Sequence, residues 1–167
     1  MHGNVFVLTN DLETGLDFVI DEIEVVEIFY EVDGAQEIQN KEELVQAMQE
    51  FIESYKVGEL KTTEDEEPYV EIDVDDFLKV LENEIRTRIE RYIEMLKVAK
   101  NEKKPWVQLN SVAAEAFELF WPSKFIYVEK AGLSEYSREK DLPYILFDLK
   151  ERSIKKIYLT KVVDIHM

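Results

Sequence analysis

Apolar and polar positions along the 167-residue chain change period several times, and each change predicts an element. Residues 4–8 (NVFVL) and 24–32 (EVVEIFYEV) read as strands, being short, β-branched and aromatic. Asp33-Gly34 suits a tight hairpin turn whose central positions need positive φ, with 35–39 as the short return strand. Between the first two strands, residues 11–23 fit two periods. Leu12, Leu16, Val19 and Ile23 share a helical face, whereas Leu16, Phe18 and Ile20 alternate as in a strand; helix is favoured.

From Asn40 the pattern is helical. Asn40 is the N-cap, Glu43 its partner three residues on, and Leu44, Met48, Phe51, Ile52 and Tyr55 fall on one face, with Gly58 placed to end the helix. Residues 68–72 alternate as a strand. A long helix follows over 74–100, its core stripe being Phe77, Leu78, Leu81, Ile85, Ile89, Tyr92, Ile93 and Leu96. Glu82/Arg86 and Glu84/Arg88 are favourably ordered i,i+4 pairs on its outer face. Pro105 breaks it, a shorter helix spans 111–121, and Pro122 ends that one. The remainder reads as antiparallel strands at 124–129, 144–149 and 154–160, the last two joined by a turn at 150–153. No Pro/Gly/Ser linker or internal repeat interrupts the chain. The expectation is one domain over 1–167, of α+β class, with about three helices on one face of a mostly antiparallel sheet.

Composition removes whole classes of chemistry. With no cysteine and only His2 and His166, both beside a terminus, the chain lacks the groups for zinc sites, thiol nucleophiles and Ser/His/Asp triads. Its five scattered glycines supply neither a phosphate-cradling loop nor a dinucleotide fingerprint. The longest apolar runs are four residues, at 5–8, 125–128 and 144–147, far short of a membrane span, and no signal-peptide pattern opens the chain. A cytoplasmic protein without a cofactor is expected.

Charge alters the picture most. The 37 acidic and 20 basic side chains give −17, and they are unevenly placed: residues 1–78 carry 23 acidic against 3 basic groups. Such a half repels nucleic acid and anionic membrane and attracts basic surfaces over roughly a Debye length, about 8 Å at physiological salt. The densest stretch joins Glu64, Asp65, Glu66 and Glu67, in a low-complexity loop over 62–67, to Glu71, Asp73, Asp75 and Asp76. Counting from Glu71 echoes a calcium loop, but Asp76 stands where the turn needs glycine. Asp73 as N-cap, Asp76 as its partner and Asp75 at the positive end of the helix dipole account structurally for those three. Solubility alone is a competing account of the run at 64–67.

These observations favour a small, acidic, non-enzymatic binding or inhibitory protein, of the nucleic-acid-mimic or immunity type. It would occlude the basic surface of a partner protein, such as a nucleic-acid-binding protein, through the eight carboxylates named. An enzymatic alternative uses Glu129, Asp148 and Lys150. On neighbouring strands these resemble the acidic-(D/E)xK arrangement of a large Mg²⁺-dependent nuclease superfamily, in which two carboxylates bind the metal and the lysine helps position or activate water. Two further patches are noted. Lys150, Arg152, Lys155, Lys156 and Lys161 form a basic cluster on the expected last hairpin that suits contact with nucleic acid or an acidic segment of another subunit. They read first as edge-strand lysines that deter aggregation. Trp106, Phe120, Trp121, Phe125 and Tyr127 read chiefly as core; as an interface they would make the chain an assembly subunit of a homo-oligomer.

Overall fold

The computed structural model describes residues 2–22, 25–26, 33–120, 125–129, 134–137 and 142–166. Its elements are β1 (His2–Thr9), α1 (Leu12–Asp17), β2 (Gly34–Glu37), α2 (Lys41–Tyr55), β3 (Glu59–Thr62), β4 (Pro68–Asp73) and α3 (Val74–Asn101). A 3-10 turn (Pro105–Gln108) then leads into α4 (Leu109–Phe120), β5 (Phe125–Val128), β6 (Ser134–Ser137), α5 (Leu142–Glu151) and β7 (Lys156–His166).

The sheet is organised around β7, which is 11 residues long and central rather than an edge. One of its sides takes β1 along most of its length; the other takes β4 opposite its first residues and β2 opposite its last. The full order is β3-β4-β7-β1-β5-β6, and the β1–β5 pair alone is parallel among the described strands. This is the expected α+β architecture with a mostly antiparallel sheet.

Three helices cover one face. Ala47, Met48 and Phe51 of α2, Phe77, Leu78 and Leu81 of α3, and Leu142, Leu146 and Leu149 of α5 pack on Phe6, Leu8, Val70, Ile72, Leu159 and Val162. At its centre Phe51 meets Phe6 edge-on with ring centroids 5.1 Å apart, and Phe77 at 5.7 Å. The opposite face is a smaller cluster of Val5, Val7, Ile126, Val128, Val163 and Ile165 beneath Ile20 and Val25. Alternation of β1 between the two clusters follows from the two-residue period of a strand. In β7 that period is broken: Ile157 and Leu159 face the helices, but so does Val162, while Val163 and Ile165 face away. The pairing with β1 shifts register at this point, Leu8 opposing Leu159 and Val7 opposing Lys161, so Thr160 is an extra residue in a bulge that swaps the faces.

Several expectations are corrected. Residues 144–149 are helix, not strand: Leu142, Leu146 and Leu149 recur at helical spacing and are buried, leaving Tyr144 and Phe147 exposed. The expected turn at 150–153 is the end of that helix. Ser153, at φ 61, lets Ile154 N–H donate to the Leu149 carbonyl and Ser153 N–H to that of Lys150. Gly34 opens β2, opposite His166, so the expected return strand pairs with β7. Of the strand expected at 24–32, Val25 and Val26 are helical and the rest lies outside the described residues. Of residues 11–23, Leu12–Asp17 are helix and Glu22 is helical again, while residues 18–21 are not and Ile23 lies outside the described residues. In α2 the left-handed residue is Lys56, at φ 55, with Gly58, at φ 95, two positions later. The stripe of α3 is buried as far as Leu81, but Ile89, Ile93 and Leu96 are exposed.

Candidate functional site

The expected carboxylates fall into two settings. Glu64 to Glu67 lie at the tip of the β3–β4 hairpin, which continues the sheet at its outer edge. The tip is a closed turn. Thr63 N–H donates to the Glu67 carbonyl at 3.0 Å, Glu66 N–H donates to the Thr63 carbonyl at 3.0 Å, and the Thr63 hydroxyl accepts from Glu67 N–H at 3.1 Å. Glu66 takes the left-handed conformation that the reversal requires, at φ 63. All four carboxylates are exposed. Lys41, the first residue of α2, is the cation that meets them: its Nζ is 3.2 Å from Glu67 and donates to the Glu66 carbonyl at 3.4 Å. That contact carries the start of α2, with exposed Glu42 and Glu43, toward the tip. These two carboxylates were missed in the sequence, because more than twenty residues separate them from the loop and local spacing carries no trace of the Lys41 bridge.

Glu71, Asp73, Asp75 and Asp76 lie instead where β4 turns into α3. Asp73 caps the helix, accepting from Asp76 N–H at 3.0 Å. Around them stand four lysines from four elements. Lys61 is 3.2 Å and Lys156 3.6 Å from Glu71, Lys156 is 4.0 Å from Asp73, and Asp75 receives both Lys79, at 2.7 Å, and Lys150. The two ammonium groups hold the Asp75 carboxyl down at about 2, and the Asp75 carboxylate in turn raises Lys79. Lys61 is raised chiefly by its hydrogen bond to Glu71. Glu71, Asp73 and Asp75 are thus each paired with at least one of four ammonium groups, with Glu59 also 3.9 Å from Lys61, so most of the negative charge of this cluster is balanced. Against β4, an open groove of about 730 Å³ is lined by Lys56, Lys79 and Lys156 and by Glu53, Glu59, Glu71, Asp73 and Asp76, so both signs are present with carboxylates in excess. At the hairpin tip Glu64, Asp65 and Glu66 are exposed carboxylates beside a single engaged lysine, and further exposed carboxylates stand elsewhere in the acidic half, Glu13, Glu50 and Glu53 among them.

The residues of the enzymatic alternative are arranged differently from the expectation. Asp148 and Lys150 are two apart on a helix, so they diverge instead of sharing a face. Lys150 turns to Asp75, whereas Asp148 and Glu129 both bind Arg152, at 3.0 and 3.2 Å. Arg152 occupies the space between two carboxylates that a cation would need, and the strand geometry of a (D/E)xK pair is not present. Among the described residues no group of three or more His, Asp or Glu side chains is placed to hold a metal ion.

The basic patch is also dispersed. Lys150, Arg152 and Lys156 are engaged as described, and Lys161 forms a half-buried pair with Glu37 at 2.9 Å. Since β7 is flanked on both sides, these are not edge-strand lysines. Of the aromatic segment, Phe125 and Tyr127 are core, Trp106 is 65% exposed, Trp121 lies outside the described residues, and the side chain of Phe120 is not described. No helix among the described residues is long and apolar enough to cross a membrane. No family model matches the chain, and it has no match among curated proteins or solved structures.

Proposed function

We propose that this is a non-enzymatic binding protein that uses the β3–β4 hairpin tip, Glu64, Asp65 and Glu66 with Glu42 and Glu43 beside them, to engage and occlude a basic surface of a partner protein. The observation that carries this reading is the ordered tip: three exposed carboxylates on a turn closed by its own hydrogen bonds, with one lysine nearby engaging Glu67. A pre-formed turn avoids the cost of ordering a loop on association, which is where flexible acidic segments lose affinity. Long-range attraction from the acidic half would speed encounter, and the tip would fix register. The carboxylates at 71–76, balanced by lysines, serve the fold and frame the neighbouring groove.

Tagged protein incubated with lysate of the native host, at low and then high salt, tests this. The reading predicts that a basic protein is retained at low salt and lost at high salt, and that a Glu64→Gln/Asp65→Asn/Glu66→Gln variant, folded normally, fails to retain it. Equal retention by the variant would remove the tip from the account.

A further inference from the structure

The long helix α3 is a core element only in its first third. Beyond Leu81 its only buried residue is Ala99, and the helix continues to Asn101 with Ile89 41%, Ile93 44% and Leu96 42% exposed. Spacings of four and three residues put these three on one stripe, the spacing at which a helix meets a second helix. The chain's own α4 and its preceding 3-10 turn return against α3, yet they leave this stripe uncovered.

The charges beside the stripe decide what fits it. Residues 85–109 carry seven basic and three acidic side chains in a chain of net −17. An anionic lipid surface would suit the basic residues but would be repelled by the acidic body. A second copy meets no such conflict, and the flanking charges are self-complementary. Glu90 and Lys97 follow Ile89 and Leu96 at equivalent positions on one border of the stripe. If two copies of α3 run antiparallel about a two-fold axis, with Ile93 stacked on Leu96 of the partner subunit, then Glu90 lies beside the partner subunit's Lys97, and the pair occurs twice by symmetry. In a parallel arrangement the same heptad spacing sets Glu90 and Lys97 against Ile85 and Tyr92, and the match is lost. Lys97 is free to turn, since its pairing to Glu94 at 2.7 Å is on the surface with the lysine 63% exposed. In the antiparallel register Lys100 faces Ile89 of the partner subunit, and its alkyl stem can cover that residue while the charge stays in water.

We propose that the protein self-associates through this stripe, as a symmetric dimer in which the two α3 helices pair antiparallel over Ile89, Ile93 and Leu96. The seam is short, so the dimer is reversible, its population rising with protein concentration, and not an obligate unit.

Sedimentation equilibrium over a range of protein concentrations tests it. The expected result is a concentration-dependent rise from 19.7 kDa toward twice that mass. Ile93→Asp, on an exposed site, should keep the circular dichroism spectrum and weaken the dimer by about tenfold or more, by setting a charge in an apolar seam. Glu90→Lys and Lys97→Glu should each weaken it at low salt, and the double reversal should restore it, which no parallel or unrelated contact would do. A mass of one subunit at every concentration, or a dimer indifferent to Ile93→Asp, overturns the proposal. So does a monomer that instead co-sediments with phosphatidylserine/phosphatidylcholine vesicles through Ile93, which would assign the stripe to a lipid surface.

Discussion

Lys150, near the end of α5, is hydrogen-bonded to Asp75 in the first turn of α3, seventy-five residues away in sequence. The contact ties the last helix of the core layer to the start of the longest one, and with Lys79 it converts the most crowded part of the acidic stretch into a balanced ion-pair cluster.

Asp75 should therefore titrate abnormally. Its carboxyl in the folded chain lies at about 2, against an ordinary value of 3.8, because Lys150 and Lys79 donate to the ionised form. With the folded value depressed, the stabilisation is fully present above 3.8 and is lost as pH falls toward 2. A carbon-detected carboxyl titration should find the low midpoint, and Lys150→Met should move it upward. A midpoint near the ordinary value would show that the cluster does not persist in solution.

Phe51 should be among the most costly core positions. It is fully buried and touches Phe6, Tyr55 and Phe77 with ring centroids 5.0 to 5.7 Å apart. Phe51→Ala should lower stability by about 3–5 kcal/mol in chemical denaturation.

Gly58 should resist substitution while two other left-handed residues invite it. Gly58 has φ 95, and a Cβ there would lie 2.6 Å from Val70 Cγ1, so Gly58→Ala should cost about 1–3 kcal/mol. Lys56 and Ser153, at φ 55 and 61, end α2 and α5 with side chains that this conformation disfavours. Lys56→Gly and Ser153→Gly should each be neutral or stabilising, by up to about 1 kcal/mol. Denaturation midpoints check all three.

The half-buried pair of Lys161 and Glu37 joins β2 to the central strand. Lys161→Ala should leave the Glu37 carboxylate partly desolvated without a partner and cost about 1–3 kcal/mol, more than removal of the exposed Lys97 from its Glu94 pair. Hydrogen exchange should show faster opening of β2 in this variant.

How far these features could be read in advance depended on their range along the chain. The caps Asn40 and Asp73 were legible because a cap is local: each accepts from N–H groups two or three residues on. The alternation of β4 was legible for the same reason. α5 was not, since the apolar run at 144–147 suits a strand, and only burial of Leu142, Leu146 and Leu149 reveals the helical stripe. The bulge at Thr160 was invisible because it is defined by register against β1. The candidate site divides in the same way. Composition exposed the acidic stretch, but Lys61, Lys150 and Lys156 reach Glu71, Asp73 and Asp75 through sheet pairing and helix docking, so the neutralisation of half the stretch had no local sign.

The central claim is that negative charge acts at the hairpin tip in particular and not merely as part of the total. Once a basic partner is in hand, its affinity should be measured against the Glu64→Gln/Asp65→Asn/Glu66→Gln variant and against a charge-matched control, Glu13→Gln/Glu50→Gln/Glu53→Gln, away from the tip. The account predicts a loss of about tenfold or more for the tip variant, a much smaller one for the control, and a shallower salt dependence in the tip variant alone. Equal losses in the two variants would contradict it, because the acidic residues would then act only through net charge.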